Sequence, residues 1–328
     1  MIYLGIDLGG TKISGALFHE NNSVLIRETV LLEGREGSEV GELISEICKT
    51  LLLKGGVGDD VQKCIGVCVP GIAYSKTGNV WCPNIPGWEN YPLRDEISSQ
   101  IPNSRVTVES DRTAYILGEV SMGAAKGCNN AIFISVGTGI GAGILIDGRV
   151  LHGASDIVGA TGWMALKPMY RKEWDACGCF ESHASGTGIA MQAAIELRKL
   201  EKAGKRGYSL LQEKSPETVS SRDVFEAFEK GDAIAKKILD TAIEMWGMAA
   251  ANMVSLFNPE MVIFGGGIFG PATRFIDNIY REAAKWAQPV AIKQCRFVAT
   301  ELPNDAGLYG AGAIAILSCM NNLNNKKT

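Results

Sequence analysis

Residues 5–18 read GIDLGGTKISGALF, a strand that enters a glycine-threonine turn followed by a second strand that leaves it. The stretch ISVGTGIGAGILID (134–147) repeats the same strand, turn and strand. A helix follows the turn in a P-loop or a dinucleotide-binding motif, so this pattern is typical of neither. Glycines in such a turn let backbone N–H groups approach a phosphate, and threonine adds a hydroxyl donor. Two facing hairpins predict a polyphosphate held between two domains, and the alternative is a pair of ordinary glycine hairpins.

The rest of the chain alternates apolar strands with amphipathic helices. Strands are predicted at YLGIDLG, ISGALF, SVLIRETV, CIGVCVPG and RVTVES, with a helix at about 39–53. A second, similar opening begins near Ala131, and helices follow from about 185, 221 and 232. The buried strand EMVIFGGG and the final helix DAGLYGAGAIAILSCM complete the pattern. The repeated order predicts an α/β fold with duplicated domains.

Composition narrows the classes of function. The chain has 328 residues, 46% of them apolar and 21% charged, which is enough for two domains with large cores. The net charge of −4, with basic residues spread along the chain, predicts a small-molecule partner and no nucleic acid or membrane. The amino terminus has no signal-peptide pattern, and no run of about 18 apolar residues occurs, so we expect a cytoplasmic protein. Nine cysteines, mostly single in apolar segments, predict reduced thiols rather than disulfides.

Five separated segments resemble, in order, the ROK family of bacterial sugar kinases and repressors, within the actin-like, RNase H-like ATPase superfamily. They are GIDLGGTK, VPGIAYSKTGNVWCPNIPGW, SDRTAYILGE, GTGIGAG and NPEMVIFGGG, and the resemblance covers essentially the full length. It implies a two-lobed actin-like ATPase fold. Residues 1–110 with 312–328 would form the lobe of the sugar side and first phosphate loop, and 111–311 the lobe of the second phosphate loop, the adenosine side and a homodimer contact. Family repressors begin with a DNA-binding helix-turn-helix, whereas this chain begins in its first strand, which favours a kinase.

The resemblance implies roles for residues around ATP. Asp111 would be the catalytic base that accepts the proton of a sugar hydroxyl as it attacks the γ-phosphorus; otherwise Asp111 is a helix cap or first-turn acid. Asp7 would hold Mg²⁺ through water. The residues expected to contact ATP lie in three turns: Gly9, Gly10, Thr11, Lys12, Gly137, Thr138, Gly139, Gly265, Gly266 and Gly267. For the third turn, Gly265–Gly267, the alternative to ATP contact is that the glycines only allow close packing.

The same resemblance implies the sugar contacts. Asn84 in PNIPGW would bind vicinal hydroxyls, or else form an Asx turn before Pro86. Glu181 would point at the sugar. Typical members carry Glu-x-Gly-His, whereas this chain has ATGW (160–163), so the glutamate and histidine that contact the sugar around C1 and C2 are missing. Trp163 would instead offer a flat apolar face for stacking, and Ser110 stands where an asparagine usually precedes the aspartate.

The stretch DACGCFESHASG (175–186) corresponds to the zinc loop of the family. The usual Cys-x-Cys-Gly-x-x-Gly-Cys-x-Glu is reduced to GCFE with Cys177 before it, and the histidine ligand is lost with the Glu-x-Gly-His motif. His183 is misplaced for replacing that ligand. Because structural zinc normally takes four ligands, we predict that zinc is absent and that ATP and Mg²⁺ are the cofactors.

Three functions stay open on the sequence. One is a kinase for the 6-hydroxyl of a hexose derivative that differs at C1–C2, such as a glycoside, an amino or N-acetyl sugar or an anhydro sugar. The others are an ordinary gluco- or fructokinase that tolerates the changed motif, and a non-catalytic sugar sensor. Weak recognition of free glucose is expected from Ala160, Trp163 and Ser110 together.

Overall fold

A computed structural model describes residues 1–325, which form two compact units. One unit contains Met1–Gly127, Val150–Val158 and the chain from Glu301 onward, and the other contains Cys128–Arg149 and Gly159–Thr300. The sequence predicts that the two functional lobes meet at residues 110 and 312, and this division stays a prediction. The end of that first lobe, 326–328, lies outside the described residues.

The first unit is built on a five-stranded sheet in the order β3-β2-β1-β4-β7. Its elements up to residue 122 are β1 (Ile2–Leu8), β2 (Lys12–Phe18), β3 (Val24–Leu31), α1 (Ser38–Lys54), β4 (Lys63–Val69), β5 (Ile72–Ala73), β6 (Val80–Trp81), α2 (Leu93–Gln100), β7 (Ser104–Ser110) and α3 (Asp111–Met122). Strand β1 pairs antiparallel with β2 and parallel with β4, which pairs parallel with β7. Every residue of β4 is buried, whereas the edge strand β3 alternates between half-buried and exposed. The sheet therefore brings the ends of β1, β4 and β7 to one edge.

The second unit repeats this arrangement with the order β10-β9-β8-β11-β12. Its elements are β8 (Ala131–Val136), β9 (Ile140–Ile146), β10 (Arg149–Val150), α4 (Glu181–Ala184), α5 (Gly186–Lys202), α6 (Ser221–Glu229), α7 (Ala233–Phe257), β11 (Met261–Gly265), α8 (Ile276–Ala283), α9 (Ala291–Gln294) and β12 (Arg296–Ala299), with short 3-10 helices at Thr161–Trp163, Lys172–Trp174, Leu210–Glu213, Gly267–Phe269 and Pro271–Phe275. Strand β8 is antiparallel to β9 and parallel to β11. The predicted duplication is confirmed.

The last helix, α10 (Ala306–Asn325), packs on β1, β4 and α3 of the first unit. Glycines allow this close approach, since a Cβ on Gly5 would lie 2.6 Å from the nitrogen of Gly312, and one on Gly66 would lie 2.7 Å from that of Ala315. Those distances are shorter than real Cβ contacts. Because α3 packs against α10, the first compact unit continues past residue 110 to Gly127.

The thiols of Cys64 on β4 and Cys319 on α10 lie against each other, with their Cα atoms 6.3 Å apart. The expectation of reduced thiols stays a prediction for this pair. The two cysteines are 255 residues apart in sequence, and only the packing of α10 on β4 brings them together. None of the described helices is both long enough and apolar enough to cross a bilayer.

Candidate active site

Two predicted carboxylates, Asp7 and Asp111, lie at the carboxyl-terminal edge of the first sheet. Asp7 is the second-to-last residue of β1 and is aligned with Cys68 on the parallel strand β4. Cys68 is in turn aligned with Glu109 on β7, two residues before Asp111. Because the three strands are parallel and in register, side chains from their ends gather at one edge, where ligands of α/β sheets commonly bind.

Asp7 is buried, and positively charged side chains lie near its carboxylate. Burial raises the pKa of Asp7, whereas a hydrogen bond with the Cys68 thiol and the positive charges of Lys12 and Arg27 oppose that rise. The amino-terminal turn of α10 comes close, since a Cβ on Gly307 would lie 2.7 Å from the Asp7 carboxylate. A helix amino terminus and two cations favour a negative charge here. The same helix amino terminus and positive charges would also favour a phosphate that carries a bound cation.

Asp111 is the first residue of α3, and Ser110 is its N-cap. The Ser110 hydroxyl is buried and accepts a hydrogen bond from the Thr113 N–H at 3.4 Å. The Asp111 Oδ1 accepts one from the Arg112 N–H at 2.8 Å, and the Tyr115 hydroxyl donates to the same carboxylate. Burial raises the pKa of Asp111 to about 6 although these neighbours oppose it. Such a carboxylate is ionised at neutral pH yet basic enough for proton transfer.

The first glycine turn, 9–12, joins β1 to β2 next to Asp7. The Gly9 N–H donates to the Lys12 carbonyl at 2.9 Å, and the Leu32 N–H donates to the Thr11 carbonyl at 2.9 Å. Gly10, Thr11 and Lys12 are exposed, and a Cβ on Gly10 would meet no atom within 4 Å. The turn therefore presents open backbone, as predicted for a phosphate loop.

The second glycine turn, 137–139, joins β8 to β9 in the other unit. The Gly137 N–H donates to the Gly139 carbonyl at 2.9 Å, and the Gly186 N–H at the start of α5 donates to the Gly137 carbonyl at 2.8 Å. Gly137 and Thr138 line a cavity of about 1090 Å³ that lies within the second unit. The turn thus forms one wall of a volume large enough for a nucleotide.

The third predicted group, Gly265–Gly267, divides between two roles. A Cβ on Gly265 would lie 3.0 Å or less from ring atoms of Phe133, and Gly266 has φ of +86° with a Cβ position 2.7 Å from the carbonyl carbon of Val136. These two glycines serve close packing and a left-handed turn. Of these three glycines, Gly267 lines the cavity with Gly137 and Thr138. The contact of all three with ATP stays a prediction.

The remaining walls of the cavity combine apolar and charged side chains. Its other lining residues are Gly186, Thr187, Ala190, Val219, Ser220, Ser221, Arg222, Phe225, Glu226, Glu229, Ile268, Pro271 and Arg274. Arg274 forms an ion pair with Glu229, and its guanidinium lies 5.2 Å from the ring centroid of Phe275. Sequence reasoning missed the contribution of α6 to this wall, because the segment carries only an ordinary capping signal at Ser220.

Asn84, predicted to contact the sugar, lies exposed on a turn anchored by Trp88. The buried Trp88 donates from Nε1 to the Gly37 carbonyl at 2.8 Å and stacks on Tyr91 with ring centroids 4.6 Å apart. The Ile85 N–H donates to the Cys82 carbonyl at 3.1 Å, which closes the turn around Asn84. Asn84 is therefore exposed on a turn that rests on the buried Trp88.

Glu181 begins α4 in the second unit and lies between two glycines. Its Oε2 accepts a hydrogen bond from the Ile140 N–H at 2.6 Å, immediately after the second glycine turn. Cβ atoms on Gly139 and Gly162 would lie 2.7 and 2.8 Å from the same oxygen. Burial raises the pKa of Glu181, and the Ile140 hydrogen bond opposes that rise. Glu181 thus connects the turn at 137–139 with the segment 160–163.

Trp163 ends the 3-10 helix Thr161–Trp163 and leaves 58% of its surface exposed. The shortened cysteine loop packs directly beneath it, because a Cβ on Gly178, at φ of +83°, would lie 2.5 Å from the Trp163 Cα. The two departures from the family pattern are therefore in contact.

The cysteine loop holds no cluster of metal ligands. The Cys177 thiol lies 3.3 Å from the Ser182 hydroxyl, and the buried His183 has Nδ1 2.8 Å from the Cys179 carbonyl. Burial lowers the pKa of His183, whose ring packs edge-on against Trp174. No group of three or more histidine, cysteine or acidic side chains is placed to hold a metal ion within residues 1–325. The residues present do not fit a structural zinc, and its absence stays a prediction.

The predicted residues fall into two groups, each belonging to one compact unit. The first unit brings Asp7, the turn at 9–12 and Asp111 to one sheet edge, and also carries Asn84 and Ser110. The second unit brings the turn at 137–139 together with Glu181, and carries Gly267 and Trp163. The sequence did not predict two residues next to Asp7 and Asp111, which are Cys68 and Tyr115. Cys68 was expected only to be a reduced thiol. The one signal for Tyr115 was its spacing of four residues from Asp111 on a helix.

The chain is similar to known sugar kinases over nearly all of its length. The ROK family profile matches residues 3–317. A glucokinase of Thermotoga maritima is 31% identical over 323 residues, which is 95% of this chain and 96% of that protein. The ROK hexokinase structure from Thermus thermophilus has a TM-score of 0.79 and 27% identity, covering 98% of this chain and 100% of that one. A ROK family glucokinase from Streptomyces griseus, solved with glucose and AMPPNP, has a TM-score of 0.71 and 26% identity, covering 95% and 98%. The predicted actin-like ATPase fold is confirmed.

Proposed function

Because the chain belongs to the ROK family and is a sugar kinase, we propose that it transfers the γ-phosphoryl group of ATP to the 6-hydroxyl of a hexose derivative modified at C1 or C2. The observation that carries this proposal is the segment 160–163, which lacks the glutamate and histidine of the family motif, in a chain that keeps Asp111 and both glycine turns. Derivatives of the expected kind are glycosides, amino or N-acetyl sugars and anhydro sugars.

Asp111 is the base in this proposal. A sugar hydroxyl loses its proton as it attacks phosphorus, and a carboxylate held at hydrogen-bond distance accepts that proton. Its raised pKa, about 6, strengthens it as a base without neutralising it at pH 7. The two donors on its carboxylate, the Arg112 N–H and the Tyr115 hydroxyl, limit its rotation.

ATP is proposed to bind at the cavity of the second unit, with its phosphates on the glycine turn at 137–139. The cavity has apolar walls for a base, such as Phe225 and Ile268, and open backbone at Gly137 and Thr138 for phosphate. Asp7 fits a magnesium ion held through water, since a single carboxylate with nearby phosphates and waters is how proteins commonly bind it. Bound Mg²⁺ would neutralise charge on the phosphates.

The sugar preference is inferred from the surroundings of Trp163. With alanine at 160 and an exposed indole at 163, the segment offers no carboxylate or imidazole to hydroxyls at C1 and C2. Each missing hydrogen bond costs roughly 0.5–1.5 kcal/mol, which is about 2- to 12-fold in affinity. An apolar aglycone or acetyl group would instead contact the indole face.

The experiment measures ADP release and sugar phosphate with ATP, Mg²⁺ and a panel containing glucose, fructose, β-glucosides, N-acetylhexosamines and anhydro sugars. Asp111→Asn should lower kcat by about 10²–10⁴-fold. Asp240→Asn is the matched control, because Asp240 is exposed on α7 and pairs only with Lys236 on the same face. An Asp111→Asn variant with full turnover, or no turnover of any sugar by the wild type, would overturn the proposal. The position of the new phosphate, read by ³¹P–¹H NMR, tests the 6-hydroxyl.

A second candidate is an ordinary glucokinase, favoured by the 31% identity to a glucokinase. Efficient turnover of glucose at sub-millimolar concentration would select it. The paired substitution Ala160→Glu with Trp163→His separates the two candidates further. It should raise kcat/KM for glucose and lower it for the preferred derivative if the segment sets the sugar preference.

Homodimerisation and a cytoplasmic location remain proposals. The first follows from the family resemblance and is tested by light scattering coupled to size exclusion. The second is tested by fractionation of the source cells.

A further inference from the structure

We propose that Tyr115 is a positioning residue for Asp111, whose hydroxyl holds the carboxylate in the orientation that accepts the proton of the sugar hydroxyl. This inference rests on the proposed function, in which Asp111 is the base. It assigns a role in turnover to a side chain that does not itself take a proton.

The geometry comes from the first turn of α3. Asp111 is its first residue and Tyr115 follows four residues later, so both side chains lie on one face of the helix. A residue at the start of a helix has no preceding turn to pack against, so its side chain needs other restraints. The Arg112 N–H at 2.8 Å holds Oδ1, and the Tyr115 hydroxyl supplies a second donor. Two donors fix both the direction and the rotation of a carboxylate.

The surrounding charges make Tyr115 a donor only. The groups that face Asp111 come from the sheet, a loop and α3 itself: Asp7, Cys68, Cys82, Arg112 and Tyr115. Burial and the nearby carboxylates hold the pKa of Tyr115 well above its usual value. Its hydroxyl therefore stays protonated and donates to Asp111 throughout the neutral range.

Cys68 cannot substitute for Tyr115 in this role. Its fully buried thiol is hydrogen-bonded to Asp7, with which it is in register across β1 and β4. Burial raises the pKa of Cys68 well above its usual value, so it too remains protonated. Each carboxylate at this sheet edge thus has its own uncharged donor: Cys68 for Asp7 and Tyr115 for Asp111.

The variant Tyr115→Phe removes the hydroxyl and keeps the ring. Because positioning acts on the chemical step, we expect kcat to fall about tenfold while KM for ATP and for the sugar changes by less than about twofold. The matched control is Tyr280→Phe in the second unit, where the lost hydroxyl donates to the Ile292 carbonyl at 3.3 Å. This control should keep the wild-type kcat, and the melting temperatures of both variants should stay close to that of the wild type.

A double variant tests whether Tyr115 acts through Asp111. If it does, adding Tyr115→Phe to Asp111→Asn should cause no further loss in single-turnover rate. A multiplicative loss in the double variant, an effect confined to KM, or an unchanged kcat in Tyr115→Phe would each overturn the inference. The proposed function fails separately, through full turnover by Asp111→Asn.

A second pair of variants keeps the inference testable if the phenylalanine variant does not fold. Tyr115→Gln retains a hydrogen-bond donor and Tyr115→Leu does not, and the two side chains are similar in volume. The glutamine variant should have the higher kcat. Equal kcat values would overturn the inference, because packing alone would then explain the position.

Discussion

Turnover should fall as the pH is lowered through about 6, because Asp111 accepts a proton only as a carboxylate. Burial raises the pKa of Asp111 to about 6 from the ordinary value of 3.8, and the negative charge of Asp7 adds to the rise. The Arg112 charge, its N–H and the Tyr115 hydroxyl favour the charged form but do not cancel the cost of burial. The perturbation is therefore a change of pH alone.

The size of the effect follows from that pKa. With a base of pKa about 6, roughly 10/11 of the enzyme is active at pH 7 and about 1/11 at pH 5, so kcat/KM falls about tenfold between them. An aspartate at its ordinary value of 3.8 would lose less than about a tenth of its activity over the same interval. The two cases differ enough for a simple rate measurement.

The assay measures initial rates of sugar phosphate formation from pH 5 to pH 8 in quenched samples, since coupling enzymes have pH profiles of their own. Near-ultraviolet circular dichroism at each pH shows whether the tertiary structure persists. A single acid limb near pH 6 is expected in kcat/KM. A rate that stays flat down to pH 5 while the fold persists would refute the reasoning that the buried Asp111 is the base.

Three further predictions concern stability. Lys63→Met should lower the free energy of unfolding by about 1–3 kcal/mol in a denaturant titration, because the buried Nζ of Lys63 donates to three backbone carbonyls at 3.0 to 3.2 Å. A change below about 0.5 kcal/mol, which is the size expected at surface positions, would contradict this. The half-exposed His152 pairs with Glu109 at 3.0 Å, which raises the pKa of His152 above 6.5, so its stabilisation is complete below pH 6.5 and is lost as the pH rises through the raised pKa. His152→Gln should thus lower the free energy of unfolding at pH 6 by no more than about 1 kcal/mol, with a slightly lower melting temperature, and leave both unchanged at pH 9. Gly66→Ala should lower the free energy of unfolding of the first unit, because the added Cβ would push α10 away from β4. Gly56→Ala should lower it less, because the added Cβ meets no neighbour and the only strain is the φ of +63°.

Much of the fold is predictable because its signals are local. The hairpin around 9–12 and the similar hairpin around 137–139 are specified by short apolar runs and turn glycines within about fifteen residues, and both form as predicted. Strand β11 and helices α5 and α7 are likewise signalled by adjacent caps and apolar runs. Residue type and order also suffice to identify Asp111 as a candidate base, since the family motif is contiguous.

The sequence by itself determined the duplicated α/β pattern, the two glycine turns, the position of Asp111 at the start of a helix and the altered segment 160–163. Only the tertiary structure decided which neighbours those residues have. Register across parallel strands aligned Cys68 with Asp7, and one helical turn placed the Tyr115 hydroxyl on Asp111. In the second unit, Gly267 lines the cavity, whereas Gly265 and Gly266 form close packing contacts. The physical reason is that pKa, hydrogen bonding and close approach depend on side chains far apart in sequence, whereas strand and turn formation depend on adjacent ones.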